Sequence, residues 1–117
     1  MYRVLLLLLM ATPAVIAGEV DQSAAIAALQ RDDSVLIDVR TAQEYAEGAL
    51  PGATRIETRD LAERIAGIAP DKEAPVVLYC RSGRRSSAAQ DLLLEMGYSQ
   101  VINAGGYGDL KAVVPPR

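Results

Sequence analysis

The sequence predicts an α/β fold: a single domain built on a central parallel sheet with helices on both faces. Three observations lead there. Short, largely apolar runs (Val35 to Val39, Val76 to Tyr79, Val101-Ile102) alternate with segments of helical character, the order that produces parallel strands joined by crossover helices. Those runs lack any alternation of polar and apolar residues, so both faces of the strands are expected to be covered. The only cysteine, Cys80, stands where one run stops and a glycine-arginine loop starts, at the strand end where open α/β sheets bind ligands.

The first 17 residues stand apart from this pattern. Met1 to Arg3 carries one positive charge, Val4 to Met10 is unbroken apolar sequence, and Val15-Ile16-Ala17 supplies small residues for cleavage. Residues 1–17 therefore read as a secretory signal peptide, which leaves 18–117 as the domain and implies a periplasmic or secreted protein. The apolar run falls short of the ~20 residues that a spanning helix needs. Pro13 interrupts it, and no cysteine follows the cut to carry a lipid. No stable membrane association is expected after cleavage.

Along the remaining chain, Asp21 to Gln30 predicts a short amphipathic helix with Ala25, Ile26 and Leu29 on one side. Val35 to Val39 is the first strand. Thr41 precedes Glu44 by three residues, the spacing of a capping box, so a brief helix should run to about Glu47. Gly48 to Ala53 is a glycine and proline loop, and Thr54 to Ile56 a short strand. Thr58 is placed to cap a helix over Arg59 to Ile68, with Leu61, Ile65 and Ile68 facing the core. After the connector from Pro70 to Pro75 comes the strand Val76 to Tyr79. Ser86-Ser87 then starts a helix whose apolar positions are Ala88, Leu92, Leu93 and Met96. Gly97 reads as its stop, Val101-Ile102 as the last strand, Gly105-Gly106 as a loop, and Pro115 to Arg117 as a frayed tail.

Charge and cysteine usage exclude several functions. Twelve basic residues face 15 acidic ones, a net charge of −3, and cleavage would remove Arg3 as well. An acidic domain is a poor partner for nucleic acid or an anionic membrane. The three arginines beside Cys80 are a local exception that suits a small anionic substrate. One cysteine cannot form an internal disulfide, yet the leader points to an oxidising compartment, where an unpaired thiol more often has chemistry to do. The chain has no histidine. A Cys-His dyad and a histidine-bearing zinc site are thereby ruled out, and one cysteine cannot supply a thiolate cluster.

Cys80 must then be activated by its own loop. A free thiol titrates at about 8.5, and lowering that by ~2 units takes roughly 2.7 kcal/mol. One or two charge-assisted hydrogen bonds, at about 1.5–3 kcal/mol each, suffice. Backbone N–H groups at a helix start favour an anion, Gly83 permits a positive φ, and Arg81, Arg84 and Arg85 add positive charge.

The segment Cys80 to Ser86, CRSGRRS, resembles the active-site loop of the rhodanese family, CxxGxR followed by a small residue. The likeness covers nearly all of residues 18–117. Asp38-Val39-Arg40 with Glu44-Tyr45 and Gly48 through Gly52-Ala53 is similar to the family's first signature, and Gly97-Tyr98 with Val101 and Gly105-Gly106 to its last. Glu95 to Tyr98 with Asn103 to Gly106 looks most like the small periplasmic phage-shock thiosulfate sulfurtransferases. Two positions depart from the pattern: Ala49 replaces a common histidine, and Leu110 a common tryptophan.

The resemblance implies a rhodanese-like domain and a thiosulfate sulfurtransferase. Cys80 would carry sulfane sulfur as a persulfide from thiosulfate to cyanide or a thiol. Arg81, Ser82, Gly83, Arg84, Arg85 and Ser86 would bind substrate, and Asp38, Arg40 and Glu44 would support the site as ion pairs. No metal or organic cofactor is implied, and a monomer is expected. Two alternatives remain open on the residues alone. One is a non-catalytic rhodanese-like sulfur carrier or protein-binding module. The other is a cysteine phosphatase or arsenate reductase, against which stand the four residues between Cys80 and Arg85, where the phosphatase pattern has five.

Overall fold

A computed structural model describes residues 19–115; the proposed leader lies outside them. Four strands, β1 (Val35–Asp38), β2 (Thr54–Arg55), β3 (Val76–Cys80) and β4 (Val101–Gly106), form one parallel sheet in the order β2-β1-β3-β4. Five helices, α1 (Gln22–Leu29), α2 (Ala42–Ala46), α3 (Thr58–Ile68), α4 (Arg84–Glu95) and α5 (Tyr107–Leu110), connect and flank it. The α/β architecture is as the apolar runs predict.

Successive side chains of a strand point to opposite faces, and this splits the core in two. Ile37, Val39, Val76, Leu78 and Cys80 meet Leu61 and Ile65 of α3 and Ala89 and Leu93 of α4. Leu36, Val77, Tyr79 and Ala104 meet Ala25, Ala28 and Leu29 of α1 and Leu110 of α5. All five residues of β3 are buried, because this strand lies inside the sheet and has helices on both sides. Leu110 is fully buried, so the residue in place of the usual tryptophan still fills the core.

Several local expectations are corrected. Thr58 does not cap α3; it is the first helical residue, and Glu57 stands at the cap position without a side-chain cap bond. The Glu57 carboxylate is drawn instead to Arg55 and Arg59, at 3.4 and 3.3 Å, and the Thr58 hydroxyl is buried without a partner among the described residues. Helix α4 begins at Arg84, two residues before the serines, because Gly83 at φ +93° ends the loop and turns the chain into the helix. Its buried stripe is Ser86, Ala89, Gln90 and Leu93, and Ala88 is exposed. The polar pair turns inward because β4 offers it partners: Ser86 Oγ donates to Asn103 Oδ1 at 2.7 Å and Gln90 Nε2 to the Val101 carbonyl at 2.9 Å. Gly105-Gly106 closes β4 and is not a loop. Helix α5 follows where its Gly108 and Asp109 gave no helical signal.

The carboxyl end of the sheet is fixed by a buried ion pair. Asp38 accepts from Arg40 Nε at 3.0 Å and Nη2 at 2.7 Å, and both residues are almost wholly buried. The same Nη2 donates to the Gly48 carbonyl at 2.7 Å, and the guanidinium lies 4.3 Å from the Tyr107 ring centroid and 5.4 Å from that of Tyr79. Tyr79 Oη accepts the Leu50 N–H at 3.0 Å. The loop after α2 and the start of α5 are thus tied to the ends of β1 and β3. Asp38→Ala leaves the Arg40 charge buried and uncompensated, and should cost about 3–5 kcal/mol of unfolding free energy. Urea denaturation measures this; a loss below about 1 kcal/mol would show that the pair does not hold this end together.

Candidate active site

Cys80 is the last residue of β3, Arg81-Ser82-Gly83 forms the turn, and α4 starts at Arg84. Strand end, tight loop and helix start therefore surround one sulfur atom. The Gly83 N–H donates to Cys80 Sγ at 2.9 Å, and Ser86 Oγ lies 3.4 Å from it. Cys80 is buried. Burial alone would push its thiol up, but the Ser86 hydroxyl and the N–H groups of Ser86, Ser82 and Gly83 outweigh that and bring it below the ordinary value. The balance is physical: desolvation penalises the thiolate, whereas donors fixed in a low-dielectric site stabilise it more than they would in water. The loop is an anion cradle with a nucleophile inside it.

Close packing maintains the cradle's shape. A Cβ on Gly106 would come within 2.6 Å of the Arg81 carbonyl oxygen, so only glycine lets the end of β4 lie against the loop backbone. Between Leu78 and Tyr79 the β3–β4 register shifts. Gly105, at φ +98°, follows the extra residue Ala104.

The residues predicted for the site fall into separate groups. Ser82 and Gly83 line the sulfur through their N–H groups, and Ser86 through both its N–H and its hydroxyl. Arg81 and Arg84 are exposed and form no ion pair among the described residues. Arg85 is turned onto Glu44, Nη1 to Oε1 at 2.7 Å and Nη2 to Oε2 at 2.9 Å. Glu44 also closes the expected capping box of α2 with Thr41. Asp38, Arg40 and Glu44 thus tie structure together, with Glu44 holding α2 to the first turn of α4. An open cavity of about 400 Å³ adjoins the loop, lined by Arg40, Glu44, Glu47, Gly48, Arg81, Tyr107 and Gly108. No cluster of histidine, cysteine and carboxylate side chains able to hold a metal occurs among the described residues.

Asn103 is the site residue that the sequence reading does not single out. It is fully buried on β4 and its side chain contacts Gly83, Ser86 and Gly105. The signal available was an asparagine two residues before a glycine, the spacing at which its side chain bonds the following backbone.

The Arg85 guanidinium, with smaller contributions from Thr41, holds the Glu44 carboxyl down to about 2, against an ordinary 4.5. A depressed carboxyl contributes stability that is complete above the unfolded value and is lost as pH falls through the folded one. Between about pH 4.5 and pH 2, the parent protein should lose more stability than Glu44→Gln, which has no proton to take up there. Urea titrations at stepped pH measure the difference; parallel acid profiles would contradict the pairing.

The sequence profile of the Rhodanese-like domain matches residues 21–112. The thiosulfate sulfurtransferase PspE of Escherichia coli is 45% identical over 74 residues, 63% of this chain and 71% of that protein. The putative sulfurtransferase YtwF of Bacillus subtilis is 37% identical over 89 residues, 75% of this chain and 84% of that one. Among solved structures, a rhodanese from E. coli containing anions superimposes with a TM-score of 0.66 at 41% identity, covering 70% of this chain and 94% of that one. The human single-domain sulfurtransferase TSTD1 does so with a TM-score of 0.62 at 29% identity, covering 74% and 88%. With the profile spanning every strand and the cysteine loop, the chain belongs to the rhodanese-like domain family.

Proposed function

We propose that this protein is a thiosulfate sulfurtransferase with Cys80 as its sulfur carrier. The observation that carries the reading is the buried Cys80 sulfur receiving the Gly83 N–H at 2.9 Å, with its thiol held below the ordinary value. The similarity to proteins named thiosulfate sulfurtransferase supports the same reaction.

In the first half-reaction the Cys80 thiolate attacks the outer sulfur of thiosulfate. A new S–S bond forms with the thiolate electron pair, the S–S bond of thiosulfate breaks, and sulfite leaves with that bond's pair. The incoming and departing species are both anions. Arg81 and Arg84, exposed at the loop and without an ion pair among the described residues, supply charge for them, while Arg85 is committed to Glu44. The outer sulfur then carries the developing charge into the ring of N–H groups. In the second half-reaction cyanide or a thiolate attacks that outer sulfur, taking it as thiocyanate or a persulfide and returning Cys80 as thiolate. The adjoining cavity of about 400 Å³ is larger than thiosulfate requires and gives a thiol acceptor room to approach. No step calls for a metal or an organic cofactor.

The same reading extends to location. Residues 1–17 act as a leader that is removed, and the mature domain works as a monomer in the periplasm or outside the cell on small molecules. The charged start, the apolar run and the small residues before Gly18 support this.

Mixing reduced protein with excess thiosulfate in a single turnover should release about one equivalent of sulfite per Cys80 and add one sulfur atom to the intact mass, both reversed by cyanide with formation of thiocyanate. Cys80→Ser should do neither. A protein that binds thiosulfate without releasing sulfite would overturn the transfer and favour a binding module.

A further inference from the structure

Among the donors at Cys80 Sγ are the Gly83 N–H, at 2.9 Å, and the Ser86 hydroxyl, at 3.4 Å. Both are also held from their far side by one buried amide. Asn103 Nδ2 donates to the Gly83 carbonyl at 3.0 Å, and Asn103 Oδ1 accepts from Ser86 Oγ at 2.7 Å and from the Gly105 N–H at 3.1 Å. The Asn103 side chain is wholly buried. Its own backbone is locked as well, opposite Leu78 in the sheet and opposite Val20, with its carbonyl accepting the Asp21 N–H at 2.9 Å.

We propose that Asn103 is a positioning residue for the sulfur chemistry of Cys80, clamping Gly83 and Ser86 so that their donors converge on the sulfur. This inference rests on Cys80 being the sulfur carrier. The amide's orientation is fixed by its partners, since a carbonyl can receive only the NH2 group, and this places Oδ1 toward two donors. The Ser86 hydroxyl has one proton and two acceptors within reach, Oδ1 at 2.7 Å and Sγ at 3.4 Å. While Cys80 is protonated, its S–H can donate to Ser86 Oγ and the serine proton rests on Asn103. When the sulfur becomes an anion it is the stronger acceptor, and the hydroxyl turns to it. Oδ1 keeps the Gly105 N–H throughout, so neither state strands a buried polar atom. The bulge explains why Gly105 is there: at φ +98° it turns its N–H back onto the amide two residues earlier.

The test is the pH profile of Cys80 alkylation by iodoacetamide in the otherwise native protein, read beside thermal unfolding and the sulfite burst. Asn103→Leu fills the same space without hydrogen bonds, and Asn103→Ser is a smaller change that retains a polar group. Neither changes a charged residue, so Arg81 and Arg84 at the loop and the pairs Arg85 with Glu44 and Asp38 with Arg40 stay as they are. In folded Asn103→Leu the alkylation midpoint should rise by about one unit, a roughly tenfold smaller thiolate fraction below the midpoint, and the sulfite burst should slow with it. Asn103→Ser should shift the same way by less. A midpoint unchanged or lowered in either folded variant overturns the proposal, even if the melting temperature falls, because that pattern belongs to a purely structural residue. Alkylation reads the thiol whether or not it accepts sulfur, so absence of a sulfite burst in the parent would count against the transfer reaction and leave the positioning result separately readable.

Discussion

Everything in this structure that bears on chemistry depends on one constraint: a sulfur anion has to be held by N–H and O–H donors in a buried site. The sheet meets it by geometry. An inner parallel strand delivers Cys80 to the carboxyl edge, a three-residue turn reverses the chain, and Gly83 at φ +93° sends it into α4. Donors of the turn and of the first helical turn then face the sulfur. A longer loop would move those donors outward, and a side chain on Gly106 would collide with the Arg81 carbonyl.

Charge is sorted by depth in the same region. Asp38 and Arg40 neutralise each other in the interior and serve to hold the loop at Gly48 and the ring of Tyr107. Arg85 and Glu44 pair nearer the surface and join α2 to α4. Arg81 and Arg84 remain at the rim. Exposed arginines act through a solvent-screened field, which suits capture of an anion, while stabilisation of the sulfur falls to short hydrogen bonds within the loop. The net negative charge of the chain makes this positive rim a local feature.

Much of this was legible in the sequence, and the reasons for the rest are physical. Val76 to Tyr79 could be read as a fully covered strand because an unbroken apolar run has no solvent face to show. The Thr41–Glu44 capping box was recognisable because it is encoded within four residues. Thr58 was misread as a cap because Glu57, held by Arg55 and Arg59, sits at that position without capping. The inward face of α4 was readable at Leu93, with Leu92 and Met96 packed against the core, but not at Ser86 and Gln90, which are polar; only β4, distant in sequence, shows why they are buried. Asn103 went unnoticed for the same reason: its partners Gly83 and Ser86 are 20 and 17 residues away. Local patterns were readable; polar contacts between elements required the fold.

The most direct test of the account is the thiolate absorbance of Cys80 followed against pH in the reduced parent protein, first at low ionic strength and again in about 1 M salt, where the Debye length falls to about 3 Å. Hydrogen bonds inside the loop predict a midpoint below the ordinary thiol value that salt leaves nearly in place. A midpoint at or above that value, or one that climbs back to it in salt, would contradict the account and assign the activation to the exposed arginines.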